Sequence, residues 1–155
     1  MRILLLSLSY LVVFTMGFGL GVYLLPILSA PDAPSESELK AATQTRMYAA
    51  SFRRDLKGSD LFHWGEGQVT VGRDAIALTG RLAPGPAYKL YLVPEFVETG
   101  EQFLALKSRS LAVGDIKTFS NFIVPLPPGT PVDNYTTVVV WCESFSRFIT
   151  AAKYR

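Results

Sequence analysis

The chain has 155 residues, of which 18% are charged, and its formal net charge at neutral pH is +2. That charge is too small to indicate a nucleic-acid-binding face. One histidine and one cysteine exclude the multi-ligand spacings of structural zinc sites, and a single cysteine cannot form a disulfide within the chain. Behind an apolar N-terminal segment there is room for one folded domain with its own core.

An uncharged apolar stretch runs from Ile3 to Leu28, directly after Met1 and Arg2. It exceeds the roughly 20 residues that a helix needs to cross a bilayer, and it is longer than the core of a signal peptide. We therefore predict an uncleaved transmembrane signal anchor over residues 1–29. Because Arg2 is the only charged side chain near this end, the positive-inside tendency places the N-terminus in the cytoplasm and the domain in the periplasm or outside the cell.

Gly17 and Gly21 lie within this segment at the small-xxx-small spacing that lets two membrane helices approach closely. Glycine is also common in membrane helices that do not pair. The spacing is therefore compatible with a homodimer and does not require one.

A change of composition marks residues 30–46, where proline, serine and charged residues dominate. We predict a juxtamembrane linker there, with a short helix from Ser35 to Arg46 whose N-cap is Ser35 or Ser37. The globular domain is predicted over residues 47–155.

Short apolar runs separated by turn residues fill this domain. The predicted strands are Ala49–Arg53, Gln68–Val71, Ala75–Thr79, Tyr88–Val93, Phe103–Lys107, Ile116–Val124, Tyr135–Cys142 and Phe148–Ala152. No helix is predicted between them. About eight short strands at this spacing indicate an all-β fold, either an antiparallel β-sandwich, which we predict, or a closed barrel-like variant of it.

The strand Tyr135–Cys142 is apolar on both faces and should therefore lie in the middle of a sheet. Its residues alternate between the two faces, with Tyr135, Thr137, Val139 and Trp141 on one and Thr136, Val138, Val140 and Cys142 on the other.

Cys142, at the end of this strand, is the first candidate for chemistry. In the plainest interpretation it is a small buried core residue. In an exported domain, however, a lone thiol meets oxidising conditions and must be buried, paired with another chain, or used. Such a use would be thiol redox chemistry or ligation of a soft metal or haem iron. The residue alone leaves these alternatives open.

His63 is the only histidine, and hence the only imidazole available as a proton carrier or ligand. If the fold brings it to Cys142, the two would form a Cys–His pair or a two-ligand set for iron. Trp64, Trp141 and Tyr91 are typical core residues that would also suit the rim of a cofactor pocket. Three loop carboxylates are interpreted as solvated rather than as an acid–base pair: Asp60, Glu66 and Glu143.

The segment Val138-Val-Val-Trp-Cys-Glu-Ser-Phe145, followed by Phe148-Ile-Thr-Ala-Ala152, resembles the C-terminal signature of DM13 domains. Further pieces of the family pattern precede it in the family's order: Asp60-Leu-Phe-His-Trp-Gly-Glu-Gly67, Gly85-Pro86, Tyr91-Leu92, Gly114, Ile116-Lys117 and Phe122-Ile-Val-Pro125. The chain departs from the pattern after Lys117, where the loop is shorter than in many members and Phe122 stands in place of a tyrosine.

The resemblance implies a β-rich extracytoplasmic module whose cysteine, here Cys142, takes part in electron transfer as a bare thiol or by holding a group such as haem. It carries the family's Asp-x-x-His-x-Gly-x-Gly pattern onto Asp60, His63, Gly65 and Gly67. We therefore expect a membrane-anchored redox carrier or accessory module with a redox partner protein, more than a turnover enzyme. The alternative is a non-redox binding or envelope-assembly module in which Cys142 is inert.

Overall fold

The structure, a computed structural model that describes residues 1–155, divides into one long apolar helix and a β-rich remainder. Its α-helices are α1 (Arg2–Ser29), α2 (Glu36–Ala42) and α3 (Gly100–Leu106). Its strands are β1 (Arg46–Phe52), β2 (Gly65–Gly72), β3 (Ala75–Leu82), β4 (Tyr88–Val93), β5 (Leu111–Ile116), β6 (Ser120–Pro125), β7 (Thr137–Cys142) and β8 (Arg147–Lys153).

Helix α1 is long and apolar enough to cross a membrane, and none of its side chains is buried. Its 28 residues extend over about 42 Å, which exceeds the roughly 30 Å of a bilayer's hydrocarbon core. A helix that is apolar all round, and that the rest of the protein leaves uncovered, has the character of a membrane segment.

The residues after α1 are partly docked on the sandwich. The Ser35 hydroxyl accepts a hydrogen bond from the Glu38 N–H, and the Glu38 carboxylate accepts one from the Ser35 N–H, which together form a capping box. The predicted Ser35 cap is confirmed, although the helix ends at Ala42. Leu39 is buried where α2 contacts β3 and β6.

Eight antiparallel strands form two four-stranded sheets, with the order β1-β2-β3-β6 in one and β5-β4-β7-β8 in the other. The predicted antiparallel sandwich is thus confirmed. Strand β7 lies between β4 and β8, and all of its residues are buried, as its two apolar faces predict. Val138, Val140 and Cys142 face the main core, whereas Val139 and Trp141 belong to a second apolar cluster.

The prediction of a strand over Phe103–Lys107 is wrong, because these residues complete α3 and enter a 3₁₀ turn. The Thr99 hydroxyl caps α3 by accepting the Gln102 N–H at 3.3 Å. Phe103 is the one side chain of α3 that is buried. A helix this short, with a single buried residue, shows no helical periodicity. Its apolar run therefore has the appearance of a strand in the sequence.

The predicted strand Ile116–Val124 is also wrong, because it is divided between the two sheets. Strand β5 ends at Ile116 in one sheet, and β6 begins at Ser120 in the other. At the crossover Asn121 has a φ of +46°, and its carbonyl oxygen accepts the Thr118 hydroxyl at 2.6 Å. The structure has eight strands, as predicted, only because two errors cancel. One predicted strand is the helix α3, and another is replaced by the two strands β5 and β6.

Candidate functional site

Cys142 ends β7 with its side chain in the main core. The residue is 2% exposed, and its thiol donates a hydrogen bond to the Pro86 carbonyl oxygen at an S···O distance of 3.0 Å. Burial raises the pKa of the thiol. The backbone N–H groups of Ser144 and Phe145 act in the opposite direction, and the charge of Glu143 adds to the increase. The resting thiol is therefore protonated at neutral pH.

The turn that begins at Gly85 provides this carbonyl group and holds it in place. A Cβ atom added to Gly85 would lie 2.5 Å from the Tyr88 hydroxyl oxygen, so only glycine allows this close approach. Tyr88 pairs with Cys142 across β4 and β7. One residue further on, the backbone N–H of Glu143 donates to the Ala87 carbonyl oxygen at 3.0 Å. The turn is thus fastened to the strand end that carries the thiol.

A cavity of about 170 Å³ lies beside Cys142. His63 is on its wall, so the two residues that the sequence suggested as a pair line the same cavity. The other walls are mostly apolar and come from the sandwich and from α1: Phe62, Tyr88, Phe145 and Ile149, with Val22 and Tyr23 of the helix.

Asp60 fixes the orientation of His63. Its two carboxylate oxygens lie 2.8 and 2.9 Å from the His63 Nδ1 atom, and Oδ1 also accepts the backbone N–H groups of Phe62 and His63 at 2.7 and 2.8 Å. This is an Asx turn, in which an aspartate side chain orders the residues that follow it. Because an ionised carboxylate can only accept, Nδ1 is the donor in this pair, and Nε2 is the ring nitrogen that Asp60 leaves unengaged.

The charge of Asp60 is retained in this arrangement. Burial opposes it, but the hydrogen bonds from the His63 ring and the Phe62 backbone outweigh burial and lower the pKa of the Asp60 carboxyl group. A buried thiol and a carboxylate-oriented imidazole thus line one cavity, and the hydrogen bond of the thiol goes to Pro86. The family resemblance places Asp60 and His63 in one pattern, but sequence reasoning did not assign the orienting role to Asp60.

Trp141 and Tyr91 lie on the other face of the same sheet. Both contact Phe103 of α3, with ring centroids 4.9 Å and 5.1 Å from its ring. Neither lines the Cys142 cavity. The structure therefore separates these two predicted cofactor-binding residues from Cys142 and His63, because successive residues of a strand point to opposite faces.

Glu143 joins this second face, so the interpretation of it as a solvated loop carboxylate is wrong. It accepts a hydrogen bond from the Tyr91 hydroxyl and one from Lys107 Nζ at 2.8 Å. Burial opposes its ionisation, but the hydrogen bonds from Lys107 and Tyr91 are stronger and lower the pKa of Glu143. The Lys107 Nζ atom also lies 5.4 Å from the Trp141 ring centroid, within the range of a cation–π contact.

Trp64 lies apart from both the Cys142 cavity and the cluster around Trp141. The Arg54 guanidinium lies 3.4 Å from its ring centroid and also pairs with the Glu66 carboxylate at 2.8 Å. The Trp64 carbonyl oxygen accepts the Ala83 N–H at 2.9 Å, which ties the loop of His63 to the end of β3. Trp64 therefore positions this loop and does not line the Cys142 cavity.

A haem does not fit the cavity. Its volume of about 170 Å³ is below the roughly 300–1,000 Å³ of pockets that hold drug-sized ligands. The Cys142 thiol is engaged with Pro86, and Nδ1 of His63 with Asp60. No group of three or more His, Cys, Asp or Glu side chains in the chain could hold a metal ion.

Comparison with known proteins gives one match. The family model described as electron transfer DM13 matches residues 51–154. The matched residues include strands β2 to β8, the Asp60–His63 pair and Cys142. No curated protein and no solved structure matches the chain.

Proposed function

Because the chain belongs to the DM13 family of electron-transfer domains, we propose that it is a membrane-anchored thiol-redox module that acts through Cys142. The observation that carries this proposal is the position of Cys142 and the Asp60-oriented His63 on one cavity. The family match supports the redox class, and the geometry supports the choice of residues. With one thiol and no resolving cysteine, the module suits the role of a carrier or accessory protein more than that of a turnover enzyme.

The reaction begins with removal of the thiol proton, because the thiolate is the reactive form. Burial favours the protonated thiol, so a base is needed, and His63 Nε2 takes the proton while the Asp60 carboxylate stabilises the imidazolium. The thiolate then attacks a disulfide of a partner protein. One S–S bond forms and one breaks, and the departing partner thiolate takes the proton from His63.

Native-state thiol reactivity tests this proposal. We expect Cys142 in the folded full-length protein to react with a small aromatic disulfide, and His63→Asn to slow that reaction about 10²-fold at neutral pH. Asp60→Asn should slow it less, because the imidazole remains but loses its orientation. Glu66→Gln, which disturbs only the exposed pair with Arg54, is the matched control and should leave the rate unchanged. A thiol that reacts only after denaturation would refute the redox role.

The burial of Cys142 supports a second candidate function, that of a non-redox binding or envelope-assembly module. A 2% exposed thiol with a raised pKa and a backbone acceptor is also what an inert core cysteine looks like. The same experiment separates the two functions, since only the first requires reactivity in the native state.

The membrane role rests on α1. We infer that it remains as a signal anchor, with the N-terminus in the cytoplasm and the sandwich in the periplasm or outside the cell. Arg2 and the length and apolarity of the helix support this inference.

A homodimer through Gly17 and Gly21 stays a prediction. A Cβ added to either residue would meet nothing within 4 Å, so both are open to a second helix.

A further inference from the structure

Two large apolar side chains on the wall of the Cys142 cavity are exposed, and so is Leu61, the neighbour of Phe62 in the sequence. Leu61 is 80% exposed, Phe62 60% and Phe145 55%, and the two phenylalanines line the cavity itself. We call these three residues the apolar lip. Clustered exposed apolar side chains mark an interaction surface, because a folded domain gains nothing by leaving them in water.

Helix α1 lies at the lip. Phe62 lines a groove together with Met16 and Leu20 of the helix, and Tyr23 faces the Cys142 cavity. The apolar lip and the anchor therefore share one side of the protein. Lipid around the helix would also surround the lip.

The chain that follows α1 keeps the sandwich close to the membrane. Only residues 30–35 connect α1 to α2, and even fully extended they span roughly 20 Å. Helix α2 is itself fixed to the sandwich by the buried side chain of Leu39. The connection thus holds the start of α2, and the sandwich with it, within roughly 20 Å of the end of α1.

The sequence of α1 indicates the depth of the lip. Counted from Ile3, the roughly 20 residues that fill a hydrocarbon core end near Val22, and Tyr23 follows at the level where tyrosine is enriched in membrane helices. The helix residues that line a groove with Phe62 run from Val13, inside this core, to Tyr23 at its edge. Phe62 therefore faces both the hydrocarbon core and its boundary with the lipid headgroups.

We propose that the apolar lip inserts into the bilayer interface beside α1, and that the Cys142 cavity consequently opens toward the lipid phase. The occupant of this surface is the membrane itself. An apolar molecule dissolved in the lipid then reaches Cys142 more easily than a charged molecule dissolved in water. The insertion rests on α1 as a membrane anchor and is independent of redox chemistry at Cys142.

Tryptophan fluorescence in proteoliposomes tests the insertion. The full-length variants Phe62→Trp and Phe145→Trp are compared with Phe96→Trp, since Phe96 is also exposed but lies near residues 151–153, at the other end of β8. We expect phospholipids with a nitroxide near the headgroup to quench the two lip tryptophans about twofold or more above the control, after subtraction of the wild-type emission. Equal quenching of lip and control tryptophans would overturn the proposal.

Alkylation of Cys142 in the same proteoliposomes tests the direction of the cavity. A maleimide carried on an alkyl chain should react faster than a sulfonated, water-soluble maleimide. Phe62→Asp with Phe145→Asp should abolish this preference, and Phe96→Asp should retain it. A preference that is the same in the lip variant and in the wild type would contradict an opening toward lipid. Complete inertness of native Cys142 toward both reagents would refute the redox function, while the fluorescence comparison would still decide whether the lip inserts.

Discussion

The two faces of the sheet β5-β4-β7-β8 give consecutive residues of β7 very different surroundings. On one face Trp141 packs against Phe103, and the neighbouring carboxylate of Glu143 is held by Tyr91 and Lys107. On the other, Cys142 has a single hydrogen bond to a turn and a cavity beside it. The Trp141 face is closed by packing and charge pairing, whereas the Cys142 face keeps open space next to a nucleophile. The first face thus has the character of a packed core, and the second is the face on which the proposed thiol chemistry depends.

The largest effect on the free energy of unfolding is expected at Trp141, and it tests whether the two faces are independent. Trp141→Ala removes a fully buried ring from the cluster around Phe103 and should lower the free energy of unfolding by about 3–5 kcal/mol. Trp141→Phe should cost much less, because the buried Nε1–H has no hydrogen-bond partner to lose. Urea unfolding of both variants measures this, and native thiol reactivity of Trp141→Phe should match the wild type. A Trp141→Phe protein that stays folded but loses thiol reactivity would mean that the two faces are coupled.

Glu143 should give a smaller effect with a distinct pH dependence. Glu143→Gln should lower the free energy of unfolding by about 1 kcal/mol at pH 7, because Lys107 and Tyr91 lose an ionised partner at a partly exposed position. The pKa of Glu143 is lowered in the folded state from an ordinary value of 4.5, so its contribution is fully present above that value and is lost as the pH falls below it. The difference in the free energy of unfolding between wild type and variant should therefore be smaller at pH 3 than at pH 7. A difference that is equally large at both pH values would assign the effect to packing instead of charge.

Strand alternation was the most informative signal in the sequence. It predicted the central position of β7 and the two environments of its residues, and it already implied that Trp141 and Cys142 point apart. The cavity that His63 and Cys142 share could not be derived in this way, because it joins a loop to a distant strand through the three-dimensional fold. The Glu143–Lys107 pair was hidden for another reason. Its residues are 36 positions apart, and Lys107 had been assigned to a strand that does not exist.

The smallest effect on stability is expected for Cys142→Ser, and its comparison with Cys142→Val distinguishes a functional thiol from a core residue. Cys142→Ser places a hydroxyl donor where the thiol donates to Pro86, so the free energy of unfolding should fall by less than about 1 kcal/mol, while reactivity is lost completely. Cys142→Val fills the space with methyl groups but leaves the Pro86 carbonyl oxygen without its donor, which should cost about 1–3 kcal/mol. Thermal or urea unfolding of the two variants gives the order. If valine is tolerated and serine unfolds the domain, Cys142 acts as an apolar core residue, and the Cys142 face would have the same structural role as the face of Trp141.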